Sequence, residues 1–198
     1  MNKREVQELF YITLICNVGS ILKQGILCHN LARRIKHVTI ASKDVQIRRS
    51  NRIIQGGGRL HDYANLYFNA RNPMMYTDEI KNNHQNLCVL SIHPNVMEKA
   101  GVAIADGNAA CDFTSFYPYP DGLSKLNFER IYTEIWNDSD RIKKDENTRL
   151  IMAEVLVPER IDPSYILKAY VSCNEAKFKL MDQNFELPVV IKADMFFQ

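Results

Sequence analysis

The chain has 198 residues, of which 46% are hydrophobic and 24% charged, the make-up of a protein that folds around one core. No apolar run approaches the ~18 residues a membrane helix needs; the longest candidate, Leu9 to Cys16, has Thr13 inside it, and a membrane is excluded as a partner. The formal charge is only +2, yet residues 33–59 hold Arg33, Arg34, Lys36, Lys43, Arg48, Arg49, Arg52 and Arg59 against the single acid Asp44. A locally basic stretch on a mildly acidic remainder suits a polyanionic ligand, or else forms a solvated face whose counter-charges come from elsewhere in the fold.

In chain order, Glu5, Gln7 and Glu8 interrupt any apolar leader, so the expected compartment is the cytoplasm. Leu9 to Thr13 (LFYIT) reads as a strand, after which Asn17 caps a short helix that Gly25 ends. Ser42 precedes DVQIRRSNRII, where the helical spacing of Arg48, Arg49 and Arg52 puts three arginines on one face, toward an anion or toward water. Gly56, Gly57 and Gly58 form a flexible loop, and no Lys-Ser or Lys-Thr follows to make a phosphate-binding P-loop. Residues 64–69, 87–92, 152–157, 165–171 and 188–192 are short strands rich in β-branched and aromatic residues.

The segment FTSFYPYP packs Phe113, Phe116, Tyr117 and Tyr119 beside two prolines. It is either a platform for stacked bases or a loop whose rings plug the core. Residues 137–147 are polar with mixed charges and read as the mobile loop, and Ser172 with Glu175 forms a capping box ahead of a helix over 173–183. Irregularly interspersed strands argue for a mixed α+β fold in a single domain, 1–198, over a doubly wound parallel sheet. Cys16, Cys28, Cys88, Cys111 and Cys173 are odd in number and far apart, so they read as reduced core cysteines. His29, His37, His61, His84 and His93 show no paired spacing, and no metal site is expected. Glu154 interrupts the apolar run Ile151 to Val157: on a central strand its carboxylate needs a partner, on an edge strand it faces water.

The segments FYIT, NVGSILKQGIL, VQIRR, LHDYANLYFNARNPMMY and AEVLVP follow one another as in the DarT family, bacterial toxins that ADP-ribosylate single-stranded DNA, and the chain resembles that family over nearly its whole length. The resemblance implies an ADP-ribosyltransferase-like, split, mostly antiparallel β core with flanking helices and an NAD cleft between its halves. It implies transfer of ADP-ribose from NAD to a base of single-stranded DNA, thymine favoured and guanine possible, with release of nicotinamide. It also implies a partner antitoxin, a macrodomain ADP-ribosylglycohydrolase that removes the mark.

Carried over residue by residue, Glu154 matches the family's catalytic glutamate, since a carboxylate on the ribose stabilises an oxocarbenium-like transition state. Arg49 matches an arginine beside the acceptor base, where a guanidinium stabilises the deprotonated base. Tyr11, Thr13, Asn17, Gly25, His29, Tyr67 and Phe68 fall in the NAD-binding regions, and Arg48, Arg52, Tyr117 and Tyr119 are the DNA-binding candidates. The stretch 137–147 precedes the catalytic strand and is expected to face the acceptor. Two departures stand out: Leu14 and Cys16 replace a histidine and an aspartate found in many relatives, and Gly107 follows Asp106 where an arginine is common. They motivate an alternative, a catalytically weak single-stranded nucleic-acid-binding relative; a further alternative is RNA as the acceptor, since stacking platforms do not distinguish the two sugars.

Overall fold

A computed structural model describes residues 6–197; residues 1–5, where the stretch read as lacking a leader begins, lie outside them. The chain runs through β1 (Leu9–Leu14), α1 (Val18–Gln24), β2 (Ile26–Leu27), α2 (His29–Ala32), α3 (Lys43–Ser50), β3 (Tyr63–Tyr67), α4 (Asp78–Lys81), β4 (Leu87–Ile92) and β5 (Ala103–Ala105). It continues through β6 (Phe116–Pro118), α5 (Phe128–Ile131), α6 (Arg141–Ile151), β7 (Glu154–Pro158), β8 (Arg160–Ile161), β9 (Ile166–Val171), α7 (Asn174–Met181) and β10 (Val189–Ile191). Eight strands form one sheet in the order β10-β9-β4-β1-β3-β7-β5-β6, and β2 pairs with β8 apart from it. Every pairing is antiparallel except β10 with β9. The expected mixed α+β class, with its mostly antiparallel sheet and flanking helices, is what the chain adopts.

The sheet is split in its middle. Strand β1 pairs with β4 along its full length, from Leu9 opposite Ile92 to Leu14 opposite Leu87. Strand β3 pairs in the same way with β7, from Tyr63 opposite Pro158 to Tyr67 opposite Glu154. Between β1 and β3 the only register pair is Phe10 opposite Tyr67, after which the two strands part. The halves are joined beneath by a common core, in which Leu9 and Leu90 from one side and Leu66, Ile104 and Val155 from the other are fully buried. Each such side chain contributes about 1.5–3 kcal/mol, so the split stays open without the halves separating.

Several local expectations change. Asn17 precedes α1 but does not cap it: its Nδ2 donates to Val38 O at 2.7 Å and its Oδ1 accepts from Val38 N at 3.0 Å. A distant backbone segment therefore outcompetes the local N–H groups. Ser172 likewise does not cap α7; its hydroxyl donates to His84 O at 3.0 Å, and the cap position is Cys173. Residues 141–147, the larger part of the expected mobile loop 137–147, lie in helix α6, started by Asp140, which accepts from Ile142 N at 2.8 Å and Lys143 N at 3.3 Å. The loop reading overlooked that cap and the helix-forming run behind it. Strand β6 was missed because of Pro118 within it and Pro120 just after it, which an edge strand tolerates.

Gly25 ends α1 as expected, at φ 84° and ψ 177°, a conformation available essentially only to glycine. A Cβ there would stand 2.2 Å from Ile161 O on β8. Gly25→Ala is therefore expected to lower the melting temperature by roughly 5 °C or more, measured by circular dichroism, since strain of about 1–3 kcal/mol adds to a clash with backbone.

Candidate active site

Glu154 opens β7 with a strand on each side, Tyr67 opposite it on β3 and Ala105 opposite it on β5, so it stands in a central strand and is 0% exposed. A carboxylate buried in that way needs donors, and it has two sources. Arg49 Nη1 donates to Oε2 at 3.0 Å and to Oε1 at 3.2 Å, and the backbone N–H of Ala109 donates to Oε1 at 2.8 Å. Arg49 is itself buried, 7% exposed, on α3. The three arginines expected on one helix face are not together. Arg49 turns inward to Glu154 and Arg48 faces water. Arg52 lies beyond the end of α3, donating to Thr114 O at 2.8 Å and pairing with Asp112. These three arginines thus serve different partners: the buried carboxylate, water, and the segment around Thr114.

A cleft of about 910 Å³ opens where β1 and β3 part, within the size range of small-molecule sites. Tyr11 and Thr13 line it from β1, Asn17 and Gly25 from the two ends of α1, His29 from α2, Arg49 from α3 and Tyr67 from β3. Of the residues expected to bind the cofactor, Phe68 is the exception. It is 0% exposed and lies edge-on against Phe128 in the main core, because side chains alternate across the strand and Tyr67 takes the cleft side. Leu14 packs in a second core cluster and Cys16 is exposed, and neither lines the cleft.

Among the DNA-binding candidates, Tyr119 packs against the main core and Tyr117 is half-buried on edge strand β6, opposite Ile104. The exposed ring of that segment is Phe113, at 86%. Phe116 lies under the Arg52 guanidinium, 5.2 Å from ring centre to Cζ.

The electrostatics of the cleft follow first from burial and then from the charges nearby. His29 and His61 stack with ring centroids 4.0 Å apart, and His61 Nε2 contacts Gln46 Oε1 at 3.1 Å. Burial, the second ring and the Arg49 and Arg33 charges push His61 down to about 4, against a small opposing pull from Asp62; burial and nearby Arg33, His37 and Arg49 also lower His29. Both rings are therefore neutral at pH 7 and available as hydrogen-bonding groups. Burial raises Tyr11 to about 12 and pushes Tyr67 higher still, with the Glu154 charge adding to it, so both phenols stay protonated. Sequence reasoning gave no role to His61 or to the Ala109 N–H; a backbone donor carries no side-chain signal.

The split antiparallel sheet, its cleft and the buried acid at the start of a central strand together define the ADP-ribosyltransferase type of fold. A profile of the DarT family, described as ssDNA thymidine ADP-ribosyltransferase, matches residues 10–197, and the chain belongs to this family. It is 34% identical over 197 residues to a DNA ADP-ribosyl transferase-DNA ADP-ribosyl glycohydrolase fusion protein of Thermosipho africanus, covering 96% of this chain and 50% of the relative. The chain thus spans about half the length of that curated relative. The structure of Thermosipho africanus DarTG in complex with ADP-ribose superposes with a TM-score of 0.81 at 31% identity, over 96% of this chain and 51% of the other. Thermus sp. 2.9 DarT in complex with ADP-ribosylated ssDNA has the same fold, with a TM-score of 0.84 at 24% identity and 98% and 97% coverage.

Two expectations follow for the isolated protein. Removing one partner of a buried ion pair strands the other, so Arg49→Ala should lose about 3 kcal/mol in urea unfolding, and the double variant Arg49→Met with Glu154→Gln should recover most of it. Because the folded-state value of His61 lies below its ordinary 6.5, the unfolded chain takes up the proton first as pH falls. Stability is then fully present above about pH 6.5 and lost between 6.5 and about 4, and urea midpoints over that range should fall less steeply for His61→Gln than for the native protein.

Proposed function

We propose that the chain is an NAD-dependent ADP-ribosyltransferase that modifies a base of single-stranded DNA, thymine favoured, in one catalytic domain spanning 1–198. The observation that carries the reading is the buried Glu154, held by Arg49 on the wall of the cleft. Membership of the family supports it, as does the ADP-ribose held by the Thermosipho africanus relative. NAD supplies the ADP-ribosyl unit and nicotinamide as its leaving group. The bond from ribose C1′ to nicotinamide breaks with its electron pair on the leaving ring, a base nitrogen gives its pair to C1′, and that nitrogen's proton passes to water.

Within this scheme Tyr11, Thr13, His29 and Tyr67 line the donor's side of the cleft, with protonated phenols as donors and neutral imidazoles. Glu154 accepts from a ribose hydroxyl and stabilises the positive charge that develops at C1′. Glu154 has no exposed surface while Arg49 lines the cleft, so in this scheme Arg49 shifts aside to admit the ribose hydroxyl. Its guanidinium then faces the acceptor, where it stabilises the base as its proton departs. Removing that proton from a paired, stacked base would need prior extrusion, which favours single strands.

The same reading makes the protein a toxin opposed by an antitoxin macrodomain ADP-ribosylglycohydrolase, supported by the fusion of the two activities in the Thermosipho africanus relative. The five cysteines form no disulfide, which suits a reducing compartment such as the cytoplasm. Among the described residues no helix is long and apolar enough to cross a membrane.

Nicotinamide release, followed at saturating NAD with one sequence offered as single-stranded DNA, duplex DNA and RNA, tests the acceptor. Single-stranded DNA should react at least about tenfold faster than the duplex. Equal rates on both DNA forms, or a preference for RNA, would overturn it.

A further inference from the structure

The Ala109 N–H that reaches Glu154 comes from a turn outside any strand, held on one side by the end of α6 and on the other by residues 114–115, where Ser115 N also donates to Asp106 Oδ1 at 3.0 Å. Asn108 N donates to Arg149 O at 2.9 Å, Thr114 Oγ1 donates to Asn108 O at 2.7 Å, and Ala110 N donates to Asn108 Oδ1 at 2.9 Å. Arg149 Nη1 donates to Asp106 Oδ1 at 3.0 Å, with the two side chains 17% and 20% exposed. The residue between these contacts is Gly107, and the arginine lies directly over it. A Cβ at this position would stand 2.7 Å from Arg149 Nη1, 2.9 Å from its Cγ and 2.9 Å from its carbonyl oxygen. The approach of a backbone oxygen makes glycine a requirement here, since the side-chain tip could move aside but the end of the helix could not.

We propose that Arg149 is a positioning residue: bound to Asp106 across Gly107, it holds the turn whose Ala109 N–H fixes the Glu154 carboxylate. The inference rests on the reading of Glu154 as the group that acts on the ribose. In that scheme Arg49 shifts during the reaction, whereas a backbone donor stays where it is. The Ala109 N–H is then what keeps the acid aimed while its other partner changes, a donor set in place beforehand rather than reorganised during the reaction. Arg149 stands just ahead of the catalytic strand, so α6 takes part in the site from behind it, through the turn.

The test joins kinetics to a spectroscopic reading of the hydrogen bond itself. In the native protein the Ala109 amide proton should resonate downfield, as a donor to an ionised carboxylate does, and Glu154→Gln should move it upfield. Arg149→Ala should move it in the same direction and lower kcat about tenfold or more, with KM for NAD changed by less than about threefold. Arg149→Lys, which keeps a cation for Asp106, should recover part of both effects. Asp106→Asn should reproduce them if the alanine variant does not fold. An Ala109 resonance that ignores Arg149→Ala or Asp106→Asn, or a fall in kcat without any movement of that resonance, would overturn the proposal. The amide is read in the unliganded protein, so a failure of transfer to single-stranded DNA in every variant would fault the acceptor and leave the positioning role to be judged by the resonance.

Discussion

The pair formed by Arg49 and Glu154 is the interaction on which the rest of the site depends. A carboxylate with strands on both sides and no exposed surface cannot stay ionised in isolation, because desolvation outweighs anything a lone charge gains in the interior. Arg49 and the Ala109 N–H supply what water would have supplied. Burial keeps the stacked histidines neutral, and the same guanidinium adds a lesser push in that direction. The arrangement is costly for folding, and its place beside a cleft is what ties that cost to the function we propose.

The second constraint is the parting of β1 from β3. A sheet joined there by one register pair gives up main-chain hydrogen bonds along the seam and gains a cleft lined by side chains from both halves. The shared core compensates, because the fully buried aliphatic residues beneath the seam belong to both halves. Asn17 extends the wall by pinning Val38, and with it the irregular chain between α2 and α3, to the start of α1. Gly25 allows α1 to end tightly against β8. Neither residue is near Glu154 in the chain, yet both shape the space that faces it.

Much of this could be read in the sequence, for identifiable reasons. Strand β4 was predicted to the residue, because a short, continuous and mostly apolar run bounded by polar residues reads as a fully buried strand, and all six of its residues are buried. Glu154 stood out as a charge in an apolar run, and only the resemblance to a family chose between a central strand and an edge. The misses share a cause: local signals yielded to distant partners. Asn17 had a helix to cap and bonded Val38 instead, and Ser172 had a capping box and bonded His84. Arg48, Arg49 and Arg52 had helical spacing, but α3 stopped at Ser50 and only Arg49 turned inward. Phe68 was assigned to the cleft together with Tyr67 on the resemblance, although neighbouring residues along extended chain point to opposite faces and Phe68, just past the end of β3, is buried in the core. The Ala109 N–H and the approach of Arg149 to Gly107 leave no trace in residue types, since one is backbone and the other depends on a contact 42 positions apart in the chain.

If the pair at the seam is the seat of ribosyl transfer to a DNA base, its two members are needed for the covalent step and not for holding the donor. The most direct measurement is the intact mass of a single-stranded oligonucleotide containing all four bases, after incubation with NAD and the native protein, Glu154→Gln or Arg49→Lys. The account predicts a product one ADP-ribose heavier, with the addition mapped to a base, from the native protein alone, while both variants still bind NAD in calorimetry. An oligonucleotide modified to the same extent by either variant would contradict it.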